Sequence, residues 1–342
     1  MLRSARNYLT HLFKEKPEGW YPLLSVYYLT YSCNFRCPYC CDGNNIPYYQ
    51  LPREELSGEK VIELLQIIRR HCDYLVLTGG EPCLHPELDY ILKELPSLNF
   101  DGVVLTSNGH DILPYLELIN SSVNYLVFSL DTLDSQKADQ WYGAKAGAHK
   151  RILANLEAAN KFSGRDYDII ISAVAMDTNI EDLDCLLSFC KQNNYRFAVS
   201  PQLVGVKASS SLTANRRYSE FFNRLIEGKK KGAAINGTIL YLEHMRDFRK
   251  FKCRPSTVLA VSPQGDVFFS CLERGHKAGN LFKEESLHHT RRLGLDRIGP
   301  EPECDNRCHS PCALGLSLAL NHPTSVLFEG FFLLKHKLGS HL

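Results

Sequence analysis

Between residues 22 and 202 the chain alternates two apolar patterns. Short runs rich in β-branched and aromatic residues, Leu23–Thr30, Tyr74–Thr78, Gly102–Ser107, Tyr125–Leu130, Tyr167–Ala175 and Arg196–Pro201, predict strands. Between them, Gly58–Arg70, Pro86–Leu95, Ile112–Ile119, Ala148–Lys161 and Ile180–Gln192 carry apolar residues at helical spacing. In the first of these, Val61, Leu64, Leu65 and Ile68 share one face. Strands and helices alternating at this interval imply parallel strands with helical crossovers, buried on both faces. Six such units suit an incomplete barrel open on one side, or an open doubly wound sheet.

Outside that stretch the rhythm is lost. Residues 1–21 hold one short helix with Tyr8, Leu9, Leu12 and Phe13 apolar. After Pro201, Ser209-Ser210-Ser211 opens a linker and Tyr218–Lys231 reads as a helix. From Lys252 the chain turns to Cys, Gly and Pro. We therefore expect segments at 1–21, 22–210, 211–250, 251–315 and 316–342. The last is an apolar tail with Lys335 and Lys337, expected to dock on the barrel or to meet a membrane or a lipid-like substrate.

Composition narrows the class. The chain of 342 residues is 44% hydrophobic and carries a net charge of +1, so no global field argues for nucleic acid. The N-terminus has basic residues but no continuous apolar core, so no secretory signal is expected and the compartment is read as cytoplasmic. Thirteen cysteines in a reducing compartment point to metal or cluster ligation rather than disulfides.

Three of those thiols stand together in Cys33-Asn34-Phe35-Arg36-Cys37-Pro38-Tyr39-Cys40, where the first predicted strand breaks into a loop. Three thiolates can each grip one corner of a cubane iron–sulfur cluster and leave the fourth iron open for chemistry. Cys41 follows directly, and four thiols can also close a zinc site. Adjacent Cys40 and Cys41, however, do not easily reach one small ion together. Two further loops follow strand ends: Gly79-Gly80-Glu81-Pro82, whose glycines allow backbone to approach a ligand, and Asn108-Gly109. Ser129 and Asp131 alternate at the end of the fourth strand and so share a face. In parallel α/β folds ligands gather at this carboxyl end.

The cysteine loop with Tyr39 before its last thiol, then the glycine loop, Asn108-Gly109 and Ser129-x-Asp131, each after a strand, resemble the radical S-adenosylmethionine (SAM) superfamily. The resemblance covers roughly residues 22–202 and implies a partial (β/α)6 TIM-like barrel. It implies a [4Fe–4S] cluster on Cys33, Cys37 and Cys40 whose open iron takes the amino and carboxylate groups of SAM. Reductive cleavage of SAM then yields a 5′-deoxyadenosyl radical that abstracts hydrogen. It also implies SAM contacts from Tyr39, Gly79, Gly80, Glu81, Asn108 and Ser129, with Asp131 in support and Gln202 beside the adenine.

Downstream, Cys253 and Cys271 bracket two apolar runs around Pro263-Gln264-Gly265-Asp266, a hairpin pattern. Cys304, Cys308 and Cys312 follow at four-residue intervals. This resembles the SPASM or twitch auxiliary-cluster region of radical SAM enzymes, and implies one auxiliary [4Fe–4S] cluster. Cys253 and Cys271 would be ligands, with two more drawn from Cys304, Cys308 and Cys312; which two stays open, since i and i+4 share a helix face. Zinc is the competing reading. Cys72, Cys83, Cys185 and Cys190 read as small buried hydrophobes.

The expected enzyme is thus an oxidoreductase or lyase acting on a small organic or lipid-like metabolite, with an external flavodoxin- or ferredoxin-like electron donor. No catalytic residue is assigned; Tyr142, Lys145 and Lys207 lie in loops that could face substrate, but solvated surface is the favoured reading for them. A peptide-modifying SPASM maturase is the alternative, disfavoured because the first strand begins too early for a preceding peptide-binding domain. The GTP cyclase branch fits less well, since the chain ends Gly339-Ser340-His341-Leu342 without that branch's glycine–arginine tail. A non-catalytic zinc-cluster binding protein is the rival from another class.

Overall fold

All six predicted strands and the five helices between them are present in the computed structural model, which describes residues 2–14, 19–41, 45–299 and 308–325. In chain order, α1 (Leu2–Phe13) precedes β1 (Leu24–Thr30), α2 (Gly58–Arg69), β2 (Tyr74–Gly79), α3 (Leu88–Glu94), β3 (Gly102–Ser107), α4 (Leu116–Ser122) and β4 (Tyr125–Ser129). Then come α5 (Ser135–Trp141), α6 (Ala148–Asn160), β5 (Asp168–Ala175), α7 (Ile180–Asn193), β6 (Arg196–Pro201), β7 (Leu203–Val204) and β8 (Lys207–Ala208). The remainder is α8 (Ser210–Thr213), α9 (Arg216–Lys230), α10 (Ile239–Asp247), β9 (Val258–Val261), β10 (Asp266–Phe268), β11 (Lys277–Asn280), α11 (Leu287–Ile298) and α12 (Pro311–Asn321).

The chain divides into two units. The first comprises Met1–Leu130, Asp134–Ile170 and Pro255–Pro302. Its strands hydrogen-bond in the order β11-β10-β9-β1-β2-β3-β4. β1 pairs in parallel with β2, Val26 opposite Val76, and β2 to β4 continue in parallel. The hairpin expected around Pro263 forms as β9 and β10, and β9 lies parallel to the other edge of β1, Val26 opposite Ala260. Residues 258–280 therefore extend the sheet of the first unit, on a different division from the segment boundaries near 251 and 315 expected from composition.

Amphipathic helices cover this sheet as their spacing requires. Ser57 caps α2 by accepting from Lys60 N at 3.4 Å, and Val61, Leu64, Leu65 and Ile68 are fully buried. Each such side chain is worth roughly 1.5–3 kcal/mol. On β1, Tyr27 and Leu29 are fully buried, and the Tyr27 hydroxyl donates to Pro263 O at 3.1 Å. α1 is pinned at Asp73, whose carboxylate accepts from Arg3 and from the Ser4 hydroxyl at 2.7 Å each.

The second unit comprises Asp131–Leu133, Ile171–Arg254 and Glu303–Leu342. β5 and β6 are neighbours, and Phe197 of β6 meets Phe221 of α9 edge-on, with ring centroids 6.4 Å apart. The Tyr218 hydroxyl closes this core by donating to Met245 O at 2.9 Å. α12 docks through Ser317 and Asn321, which accept from Arg254 N and Nε at 2.9 Å. Among the described residues no helix is long and apolar enough to cross a membrane.

Several local expectations change. Cys308 and Cys312 do not share a helix face, because His309 has a φ of 55° and α12 starts only at Pro311. Cys72, Cys83 and Cys190 are buried as expected, but Cys185 is exposed on α7. Cys304 and the tail from residue 326 lie outside the described residues.

Candidate functional site

The cysteine loop leaves β1 at Thr30, within the first unit. Cys33, Cys37 and Cys40 are all half-buried on it, with a turn closed by Cys40 N donating to Cys37 O at 3.1 Å. Burial pushes the Cys33 thiol up, and pushes that of Cys40 up to about 12, helped by the neighbouring charges of Cys33 and Cys41. Phe35 N donates to Cys33 Sγ at 3.4 Å, a bond that favours the thiolate. Cys41 Sγ contacts Tyr39 O and Asn45 Oδ1 at 4.0 and 3.9 Å. Among the described residues no three Cys, His, Asp or Glu side chains converge on a point as for a single metal ion.

The loop is held by Arg36 and Glu55, which the sequence reading passed over, and by Tyr142, which it had placed in a loop facing substrate or solvent. Arg36 Nη1 donates to Cys33 O and Phe35 O at 2.7 Å, and Arg36 N donates to Tyr142 O at 2.7 Å. Phe35 stacks on Tyr142 with centroids 5.3 Å apart, so Tyr142 supports the loop. Glu55 Oε1 accepts from the hydroxyls of Thr30 and Ser32 at the loop's root, and these bonds hold its carboxyl below the usual range against the opposing effect of burial.

Gly79 and Gly80 explain themselves by sterics. A Cβ on Gly79 would fall 2.2 Å from Thr30 O, and one on Gly80 would fall 2.3 Å from Ser32 O. Gly79 also has a φ of 141°, a region closed to other residues. The pair lets the end of β2 press on the chain entering the cysteine loop. There Gly80 N donates to Thr30 O at 2.8 Å and Glu81 N to Ser32 O at 2.7 Å.

Glu81 is fully buried, and its carboxylate accepts from Cys83 N at 3.0 Å, Ser107 Oγ at 2.8 Å and Asn108 N at 2.7 Å. Burial raises its pKa, and these donors oppose the rise. Asn108 in turn donates through Nδ2 to Asn34 Oδ1 at 2.7 Å, inside the cysteine loop. Asn34 Nδ2 continues to Asp111 Oδ2 at 3.2 Å, and Asp111 is paired with Arg151 at 2.9 Å. One polar chain thus joins the glycine loop, the Asn-Gly loop and the cysteine loop. Asn34 could have been noticed in the sequence as the one amide between the first two thiols.

The other expected residues are placed as follows. Ser129 is half-buried at the end of β4, and Tyr39 is half-buried in the cysteine loop. In the second unit, Asp131 Oδ1 accepts from Val174 N at 2.8 Å, so this carboxylate anchors β5. Gln202 N donates to Ala175 O at 2.9 Å. Of the later cysteines, Cys271 is half-buried at the start of a short turn in the first unit. In the second, Cys253 is half-buried, Cys308 is buried beside His309, and Cys312 stands in the first turn of α12.

The donor set fits an iron–sulfur cluster: three thiols on one braced loop, soft ligands of the kind that select such clusters. Comparison with known proteins agrees. Residues 27–190 match the family described as Radical SAM superfamily. The GTP 3′,8-cyclase of Microcystis aeruginosa is 28% identical over 161 residues, 45% of this chain and 49% of that protein. That of Campylobacter jejuni subsp. doylei is 31% identical over 169 residues, 48% and 50% respectively. The chain spans about half the length of the curated relatives it matches. Among solved structures, Streptococcus suis SuiB matches with a TM-score of 0.64 at 20% identity, over 93% of this chain and 76% of that one. SuiB bound to its precursor peptide SuiA matches with a TM-score of 0.63 at 20% identity, over 88% and 71%. The two structural likenesses show that the chain shares the α/β fold of SuiB.

Proposed function

Residues 27–190 belong to the Radical SAM superfamily, and from that premise we propose that this protein is an enzyme that takes a hydrogen atom from a small organic or lipid-like substrate. Cys33, Cys37 and Cys40 would hold the [4Fe–4S] cluster, with SAM at the open iron. When bound and reduced, that pair supplies a 5′-deoxyadenosyl radical.

The protein's own part is placement. Arg36, Glu55 and Asn34 fix the cysteine loop from three sides, so the thiols are presented with little freedom left to lose on loading. Ser129 offers its hydroxyl to the cofactor from the end of β4. Glu81, with both oxygens engaged by internal donors, acts by holding Asn108 rather than by touching SAM. The observation that carries the reading is the junction of Asn34, Asn108 and Glu81, which ties all three expected cofactor loops together.

The spacing of the later cysteines supports one auxiliary [4Fe–4S] cluster, and an external low-potential donor would supply the electron. The fold likeness to SuiB, solved with a precursor peptide, favours a peptide as the second reading of the substrate. Anaerobic purification with iron and sulfide analysis tests the clusters, at about four irons per cubane. Deoxyadenosine formation after reduction tests the activity, and a cluster-loaded sample that forms none would end the proposal.

A further inference from the structure

The second unit contains a cavity of about 340 Å³; of the expected SAM and cluster residues, Cys312 alone is among the described residues that line it. Its wall takes Ser172 from β5 and Ser200 from β6, Asn236 and Tyr241 from around the start of α10, and Cys312 and Gly315 from α12. That volume lies at the lower end of the range for small-molecule sites, roughly 300–1,000 Å³.

The chemistry of the wall is selective. No Lys, Arg, Asp or Glu is among the described residues that line it. The Ser172, Ser200 and Tyr241 hydroxyls and the Asn236 amide have no side-chain hydrogen-bond partner among the described residues. These groups must be satisfied by water or by a ligand that brings hydroxyls or amides of its own. A charged ligand would enter without a counter-ion, which is costly in a partly closed site. The rest of the wall is Thr238, whose hydroxyl caps α10 by accepting from Tyr241 N at 3.0 Å, and Ala, Val, Pro and Gly surfaces suited to the C–H faces of a small ring.

We propose that this cavity binds an uncharged, hydroxyl-rich ring of about monosaccharide size, as the substrate or the part of it that is recognised. Calling the ligand a substrate rests on the radical-enzyme reading; the binding itself does not. Gly315 offers a clean probe, because a Cβ there meets only the Tyr241 ring, at 4.0 Å. Gly315→Leu fills the cavity from a helical position where glycine is itself unfavourable, whereas Gly315→Ala leaves most of it open.

The test is saturation-transfer NMR and calorimetry on the iron-loaded full chain, with myo-inositol and methyl glucoside as uncharged probes and glucuronate, glucose 6-phosphate and GTP as anionic ones. The uncharged probes are expected to bind at least tenfold more tightly than the anions. Gly315→Leu should cut their binding at least tenfold, and Gly315→Ala should keep it within about twofold. Should Gly315→Leu fail to fold, Asn236→Ala and Ser200→Ala must each weaken the same binding. Absence of polyol binding, equal or tighter binding of the anions, or polyol binding untouched by these substitutions overturns the proposal. Deoxyadenosine formation is read in parallel: its absence with polyol binding intact removes the radical reading and leaves the site. Its presence without polyol binding removes the site alone.

Discussion

Asn108 Nδ2 donates to Asn34 Oδ1 at 2.7 Å, joining loops 74 residues apart in sequence. Asn108 is itself held through its backbone N–H by the buried Glu81 carboxylate. Removing the amide with Asn108→Ala leaves Asn34 short of a donor, at a cost of about 1–3 kcal/mol. Since about 1.4 kcal/mol is tenfold in rate, deoxyadenosine formation per bound cluster should fall about ten- to a hundredfold. Circular dichroism should remain native, and iron content measured beside the assay separates lost loading from lost positioning.

The glycine pair gives a steeper effect. Gly79→Ala and Gly80→Ala each drive a methyl group onto backbone oxygen, of Thr30 and Ser32 respectively. Backbone strain of this kind costs about 1–3 kcal/mol even where the chain yields. Both variants should melt lower than the parent and retain less iron after anaerobic reconstitution, measured by calorimetry and iron analysis. Gly147→Ala is the control: it shares a positive φ but has nothing within 4 Å of a Cβ, so it should melt lower while keeping its iron.

Cysteine substitutions separate the cubane from a four-thiol zinc site. Cys33→Ala, Cys37→Ala and Cys40→Ala should each abolish deoxyadenosine formation and the visible charge-transfer absorption of the first cluster. Cys41→Ala and the exposed Cys185→Ala should retain both. Loss of metal in Cys41→Ala comparable to the other three would favour zinc.

Stability should depend on pH through His71. Burial, then the charges of His288, Arg70, Arg3 and Arg6, hold its pKa down from 6.5 to about 4. The unfolded chain takes up this proton near 6.5 and the folded chain only near 4, so its contribution is complete above 6.5 and is lost as pH falls between those values. Thermal midpoints measured from pH 7 to pH 4.5 should decline, and His71→Gln should flatten that decline. For domains of this size each kcal/mol is worth about 2–4 °C.

Much of this architecture is written in local pattern. β1 to β6 follow from short apolar runs, and α2 from Val61, Leu64, Leu65 and Ile68 on one face, because burial demands those periods. The β9–β10 hairpin was readable from the turn at Pro263 to Asp266. Its place beside β1 was not, since periodicity says that a strand is buried but not which edge it joins. Glu81 and Asn108 were marked as cofactor residues; the bonds by which they join three loops were not readable, because they link positions far apart in sequence. Asn34 was missed because a lone amide between cysteines carries no period and no motif. Cys308 and Cys312 were read on helical spacing, and the backbone at His309 and Pro311 broke that premise.

The parallel pairing of β9 with β1 has a further consequence. With β2 on one side and β9 on the other, the strand that launches the cysteine loop has no exposed edge. Its amides should be among the slowest in the chain to exchange with deuterium. Damage to the distant 258–268 hairpin would therefore be felt first as fraying at the root of the cluster loop, an inherited fragility carried by two segments more than 200 residues apart.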